Sequence, residues 1–476
     1  MPSEKASKVI LNSTHRHREW VSVSSGPARI RAFIVFPERS DKATALVVTT
    51  GKQGASDWIR AVADQAAAEG FIAIVPDVLS GLGPNGGDTN DFANPRAVAA
   101  ALNRLGRDEI ARRTNAIRDY AVALPAANGK SASLEFDGGR VDGDHGLFKV
   151  AVESPIAGEH AASFRMSQEA WAEAVGFLLK QTGDKPLSGE NPNVPEDHSA
   201  HFGMAMAQES NNKKGARGPG GYPQGKLPDL PAGIFTAHSV LMNSKLRREF
   251  VDIPFGKLNL HTWVEYPAGT GKAPIVIVMQ HGPGMDDWQR ALADQLAQQG
   301  FIAIAPDLHS GLGPNGGNFD AFQGTDEVMR ATARLTGDDM LNRYLAAYHW
   351  GMKLQRANGK VASIGFCMGG GNSFRFAEEV PELAAAVVFY GTPGDPQMLA
   401  KIKAPVMAFY GDDDARVTST MAPTAALMKS NGGSFEAHSY PHATHGFVAY
   451  QDLAGNPAAT ADSWFKTVAF LKEHTQ

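Results

Sequence analysis

The chain of 476 residues contains one cysteine, Cys367. A single thiol excludes an intramolecular disulfide framework and any cysteine-rich zinc or iron–sulfur site. Excess positive charge is also missing: Lys and Arg number 45 against 50 Asp and Glu, for a net charge of −5. That leaves nothing to neutralise a phosphate backbone, so nucleic acid is not an expected partner. No apolar run approaches the ~18–20 residues needed to cross a bilayer, so a soluble protein without a membrane partner is expected. The opening segment, MPSEKASKVILNSTHRHREW, has no charged leader followed by an apolar stretch. The expectation is a cytoplasmic protein, or an exported one whose leader has been removed.

What is present is a repeat. Residues 57–87 recur at 287–317 with 23 of 31 positions identical. The same offset of 230 pairs REWVSV at 18–23 with REFVDI at 248–253, and ANGKSASLEF at 127–136 with ANGKVASIGF at 357–366. Farther on, Trp171, Val175 and Phe177 resemble Trp464, Val468 and Phe470 at an offset of 293, so the first copy lacks 63 residues. Self-similarity at this spacing implies two domains of one fold. The boundaries read as a truncated domain over 10–182, a linker over 183–233 dense in Gly, Pro and Asn, and a complete domain over 234–476.

In the second copy, short Val- and Ile-rich runs at 259–267, 273–280, 300–306, 360–366, 384–390, 404–411 and 434–440 read as strands. Amphipathic stretches at 286–299, 325–357, 370–380, 418–431 and 461–474 read as helices. Strand and helix in alternation predict an α/β fold with a mostly parallel, doubly wound sheet. The fold class expected is two tandem domains of this kind, the first truncated.

The sharpest chemical signal is Gly365-Phe366-Cys367-Met368-Gly369-Gly370, directly after an apolar strand and before a helix. A G-x-nucleophile-x-G turn holds its central residue in a strained conformation and exposes the side chain above the sheet. A helix N-terminus there favours thiolate. A thiol nucleophile needs a base and an orienting carboxylate, which in α/β-hydrolase chain order follow as acid and then histidine after later strands. Asp412, Asp413 and Asp414 follow one such strand, and His442 and His445 follow the next.

At these residues the chain resembles the dienelactone hydrolase (carboxymethylenebutenolidase) family. The G-x-C-x-G-G elbow matches 365–370, the G-x-x-D-x-x-V turn matches Gly411 to Val417 and selects Asp414, and H-G-F matches His445 to Phe447. The resemblance implies a hydrolase of a small-molecule ester or lactone with no cofactor or metal. It makes Cys367 the nucleophile, His445 the base and then acid, and Asp414 the carboxylate that orients it. An amidase or thioesterase with the same triad, or a non-enzymatic scaffold, is the alternative.

The chain departs from the family at two points. The segment Met279-Gln280-His281-Gly282-Pro283-Gly284 carries His281 where members have Glu, as a neighbour of the active site. It resembles the H-G-x-G oxyanion loops of lipases and esterases, which assigns the oxyanion hole to the N–H groups of Gly282 and Met368. No arginine follows His445, so a dienelactone substrate is not supported. In the first copy, Glu135 and Asp137 stand where Gly365 and Cys367 stand in the second, and His145-Gly146 comes too soon to be a histidine turn. That copy is expected to be catalytically inert. Asp197, His198 and His201, and the run His438, His442 and His445, have spacings a metal could use but lie in a polar linker and across a strand end. GLGPNGG, at 81–87 and 311–317, reads as a turn and not as a phosphate loop.

Overall fold

The computed structural model describes residues 2–136, 147–154, 158–165, 167–187, 230–453 and 455–475. Asp137, His145, Gly146, Asp197, His198 and His201 lie outside the described residues. The chain divides into two compact units, Met1–Gly203 and Met204–Gln476. Among the described residues, no helix is long and apolar enough to cross a membrane.

The first unit contains β1 (Arg18–Ser25), β2 (Ala28–Val35), β3 (Ala43–Thr50), β4 (Ile72–Asp77), β5 (Ala127–Phe136), β6 (Leu147–Ser154) and β7 (Gly158–Arg165) in one sheet of order β1-β2-β4-β3-β5-β6-β7. Strands β4, β3 and β5 run parallel. The outer strands pair antiparallel.

The second unit contains β8 (Arg247–Phe255), β9 (Leu258–Tyr266), β10 (Ala273–Met279), β11 (Ile302–Pro306), β12 (Ala357–Phe366), β13 (Ala385–Phe389), β14 (Val406–Gly411) and β15 (Phe435–Tyr440), in the order β15-β14-β13-β12-β10-β11-β9-β8. The six strands from β15 to β11 are parallel. Strand β10 is buried along its whole length, as an unbroken apolar run must be when helices cover both faces. Strand β8, an eighth beyond the seven that apolar runs predict, is a half-exposed edge joined to β9 by a turn at Gly256, whose φ is 60°.

The repeated sequence makes repeated packing. Trp288 meets Phe366 edge-on at 5.1 Å, and Trp58 meets Phe136 edge-on at 4.9 Å. Each indole N–H donates to a carbonyl 56 residues earlier, that of Ala232 in one unit and of Pro2 in the other. Leu230 and Ala232, at the end of the expected linker, are thus part of the second unit's buried interior. Both GLGPNGG segments are tight turns with Asn85 and Asn315 at φ 56° and 57°.

The helix expected over 325–357 is two helices, Thr325–Thr332 and Gly337–Gly351. Thr336 accepts from the Asp339 N–H while Asp339 bonds back to Thr336, a capping box that starts the second helix afresh. The copies part after Phe136 and Phe366. In the second unit the chain turns into the Met368–Glu379 helix. In the first, β6 and β7 add an antiparallel hairpin beside β5 before the closing helix Gln168–Thr182.

Candidate active site

In the second unit, the candidate residues stand at the carboxyl ends of adjacent parallel strands, where open α/β sheets hold their ligands. Register aligns those ends: Met279 pairs with Gly365, Phe366 with Phe389, and Gly411 with Tyr440. Cys367 follows β12 with φ 56° and ψ −118°, a left-handed backbone that a non-glycine residue adopts only when its surroundings impose it. Glycines impose it here. A Cβ on Gly365 would fall 1.9 Å from the Gly369 carbonyl oxygen, and one on Gly369 would fall 2.2 Å from that of Met279. The thiol is partly exposed at the head of the Met368–Glu379 helix.

The aspartate run resolves by burial. Asp414 is 4% exposed and its Oδ2 is hydrogen-bonded to Nδ1 of His445, which is 6% exposed. Asp412 instead accepts from the Ser439 hydroxyl, and the Asp413 N–H donates to the Ala443 carbonyl. Burial works against the imidazolium, yet Cys367 and Asp414 beside it outweigh that effect and raise the His445 pKa to about 9. The histidine turn is fixed by Asn456, whose amide oxygen accepts from the Thr444 N–H at 3.0 Å and whose amide nitrogen donates to the Tyr450 carbonyl at 2.7 Å.

Strand β10 delivers Gln280, His281 and Gly282 beside the elbow. His281 is buried, tilted against Trp288 at 4.7 Å, with Nε2 3.0 Å from Asp286 Oδ2. Asp286 caps the Asp287–Gln298 helix, accepting from the Gln289 N–H. Burial pushes that carboxyl up, but His281 and the Gln289 N–H hold it below the ordinary range. The family's glutamate position is thus occupied by a histidine tied to a helix cap. Of the other histidines, His438 bonds to Glu436 at 2.7 Å and His442 is exposed at φ 59°.

Several residues around the site belong to no motif. Tyr390, after β13, has φ 40° and is buried with its ring 4.8 Å from that of His445. Its hydroxyl has no hydrogen-bond partner among the described residues, and burial, then Cys367 and Tyr450, push its pKa far above the usual value. Gln280 and His309 are also fully buried. The one sequence signal for His309 is a difference between the copies, Leu79 against His309 in otherwise matching segments.

The arrangement offers a thiol at a helix N-terminus, an imidazole bonded to a buried carboxylate, and backbone N–H groups beside the thiol. It can perform acyl transfer.

The model of the dienelactone hydrolase family matches residues 30–134 and 260–475. A candidate carboxymethylenebutenolidase of Saccharolobus solfataricus is 28% identical over 233 residues, spanning 41% of this chain and 88% of its own. A probable 2-oxo-3-(5-oxofuran-2-ylidene)propanoate lactonase of Bradyrhizobium sp is 28% identical over 239 residues, spanning 48% and 94%. Among solved structures, a dienelactone hydrolase candidate from Klebsiella pneumoniae is similar with a TM-score of 0.43 and 23% identity, covering 48% of this chain and all of that one.

Proposed function

The chain belongs to the dienelactone hydrolase family of α/β hydrolases, whose members support carboxylic ester hydrolysis, and from that premise we propose that its second unit cleaves an ester or lactone through Cys367. The carrying observation is the Asp414–His445 hydrogen bond beside a cysteine held at φ 56° on the strand-to-helix elbow.

In this reading, the Cys367 thiolate attacks the substrate carbonyl carbon and the carbonyl electron pair moves onto oxygen. The N–H groups of Met368 and Gly282 receive that oxyanion. As the intermediate collapses, the bond to the leaving oxygen breaks, and imidazolium His445 gives that oxygen its proton, releasing an alcohol and leaving a thioester. In a lactone the alcohol stays tethered to the acyl chain. Neutral His445 then takes a proton from water, whose oxygen attacks the thioester. Collapse returns the thiolate–imidazolium pair and frees the acid. Asp414 holds the imidazole with Nδ1 protonated and Nε2 toward sulfur.

The first unit, 10–182, is proposed to contribute no chemistry, and 234–476 to be the catalytic domain. After β5 the first unit enters an antiparallel hairpin, and it has Glu135, an exposed residue, where Gly365 permits the elbow. The test is a panel of p-nitrophenyl esters, lactones and amides with mass detection of acylated Cys367, alongside Cys367→Ala. An acyl adduct on Cys367 and loss of roughly 10³-fold or more in kcat in the variant are expected. Undiminished turnover in Cys367→Ala rules the reading out.

A further inference from the structure

Behind the end of β10 lies a chain of buried polar side chains. The Gln280 side-chain nitrogen donates to Nδ1 of His309 at 3.3 Å, while its oxygen accepts from the Leu308 N–H at 3.2 Å. Nε2 of His309 lies 2.7 Å from the Thr332 hydroxyl, which donates onward to the Val328 carbonyl at 3.0 Å. Because that hydroxyl's proton goes to Val328, Thr332 accepts from His309 Nε2, while Nδ1 also lies 3.4 Å from the buried Asp307 Oδ1. Every member has its partners. Burying three polar side chains is costly even when they are bonded, so the fold has to gain something in return, or something else depends on them.

The first unit shows that the fold does not need them. At the same positions of the repeat it has Thr50, Leu79 and Leu102. Leu79 and Leu102 sit in an apolar cluster with Val78, Val98 and Ala101. The Thr50 hydroxyl is buried with no partner among the described residues. Strand, turn and helix form in both units, and the polar chain occurs in the one with the elbow.

Its location indicates what depends on it. Gln280 immediately precedes His281 and Gly282. A Cβ on Gly369 would lie 2.8 Å from the Gln280 carbonyl oxygen, so the strand end rests directly on the elbow helix. The helix that carries Thr332 also covers the loop: Met329 Cε lies 3.5 Å from where a Cβ on Gly282 would stand, and Val328 Cγ1 lies 3.0 Å from one on Gly284.

We infer that His309 is a positioning residue for acyl transfer: bridging Gln280 to Thr332, it locks the end of β10 so that the Gly282 N–H stays aimed at the developing oxyanion. The inference rests on the thiol mechanism proposed above. A misplacement of about 1 Å at such a donor costs on the order of 10²-fold in rate, and removing a donor costs roughly 10²–10³-fold.

The experiment uses the full chain and two reagents that share the thiolate but differ in their need for an oxyanion hole. p-Nitrophenyl acetate acylates Cys367 through a tetrahedral oxyanion, whereas iodoacetamide alkylates it with none. The double variant His309→Leu/Thr332→Leu installs the first unit's residues. Its burst-phase acylation should slow by roughly tenfold or more, its alkylation rate should stay within about twofold, and its Tm should hold or rise. Gln280→Met, which breaks the chain at its other end without new bulk, should give the same split, and Thr332→Ser, which keeps the hydroxyl, should acylate like the wild type. Unchanged acylation in the double variant and in Gln280→Met overturns the role of His309, as does acylation and alkylation falling together. Turnover surviving in Cys367→Ala instead overturns the thiol mechanism, and the role of His309 with it.

Discussion

Asp414 and His445 face each other across the ends of β14 and β15, carboxylate oxygen to Nδ1, at 4% and 6% exposure. Of the three adjacent aspartates, only Asp414 makes that bond: Asp412 is taken by Ser439, and the Asp413 N–H closes a turn onto Ala443. An amide at 414 would keep the shape while inverting the preferred imidazole tautomer. Asp414→Asn should therefore lower kcat by roughly 10³–10⁴-fold with little change in KM. Asp412→Asn and Asp413→Asn, at half-exposed positions, should stay within about threefold. Steady-state kinetics on one p-nitrophenyl ester ranks the three, and an inverted ranking would mean that another carboxylate orients the base.

Cys367 and Asp414 beside His445 together give stability a pH dependence. His445 titrates near 9 in the folded chain, above the ordinary value of 6.5. A raised folded pKa means that the contribution is complete below about 6.5 and is lost as pH rises through about 9. Urea denaturation of wild type and His445→Gln, both with Cys367 alkylated so that the histidine titrates without the thiol, should show a stability gap that closes as pH rises above about 6.5. Alkylating Cys367 with iodoacetamide removes the anionic partner, so the modified protein should lose the contribution at lower pH. A gap independent of pH from about 6 to about 9.5 would contradict the ion pair.

On β9 a second group titrates abnormally. Burial, then the neighbouring Asp294, raise the pKa of Glu265 to about 9, while the Trp263 N–H donates to it at 3.0 Å. Two buried carboxyls side by side can both remain only if one is protonated. The first unit solves the same position differently: Val35 replaces the glutamate, and Asp64, the counterpart of Asp294, pairs with Arg16 at 2.8 Å. A raised carboxyl pKa makes the fold progressively less stable as pH climbs from about 4.5 through about 9. Glu265→Gln keeps a donor toward Asp294 and an acceptor for Trp263 without titrating. It should melt higher than wild type at about pH 8, with the difference shrinking toward about pH 4.5. Thermal scans across that range decide it: a constant difference would show that Glu265 is charged in the fold.

Much of this was legible in the sequence because the second unit's inner strands are uninterrupted apolar runs and its candidate turns follow those strands in order. Chain order pointed to Cys367 but left three aspartates and two histidines open; the resemblance to the family's motifs selected Asp414 and His445, and the structure brings those two into contact. The features that were not legible have no periodic or motif signal. Strand β8 alternates in burial at a sheet edge, so its apolar content is thin. The break at Thr336 depends on a cap, not on the amphipathic pattern that runs through it. The β6–β7 hairpin has no counterpart in the second copy to align with. Tyr390 is marked only by a left-handed φ at a strand end, and a sequence carries no record of backbone angles.

The last prediction concerns what Gly365 does for the elbow of the second copy. At Gly365 a side chain is excluded by backbone, since its Cβ would stand 1.9 Å from the Gly369 oxygen and 2.8 Å from the Gly370 nitrogen. Backbone at that distance cannot rotate aside as a flexible side chain can, so the turn must open. Glu135 occupies the same position in the first unit, exposed at the end of β5, and the chain there continues into a hairpin. The sheet thus tolerates the residue and the elbow does not. Gly365→Glu should remove both p-nitrophenyl acetate turnover and the fast iodoacetamide reaction of Cys367, because the helix N-terminus behind the thiol moves with the turn. Far-UV circular dichroism should remain close to wild type, since β12 has a working precedent for glutamate in β5. The reverse change, Glu135→Gly, should leave turnover untouched and cost about 0.5–1 kcal/mol, the usual penalty of glycine in a strand. Turnover persisting in Gly365→Glu would show that the elbow geometry is not what makes Cys367 reactive.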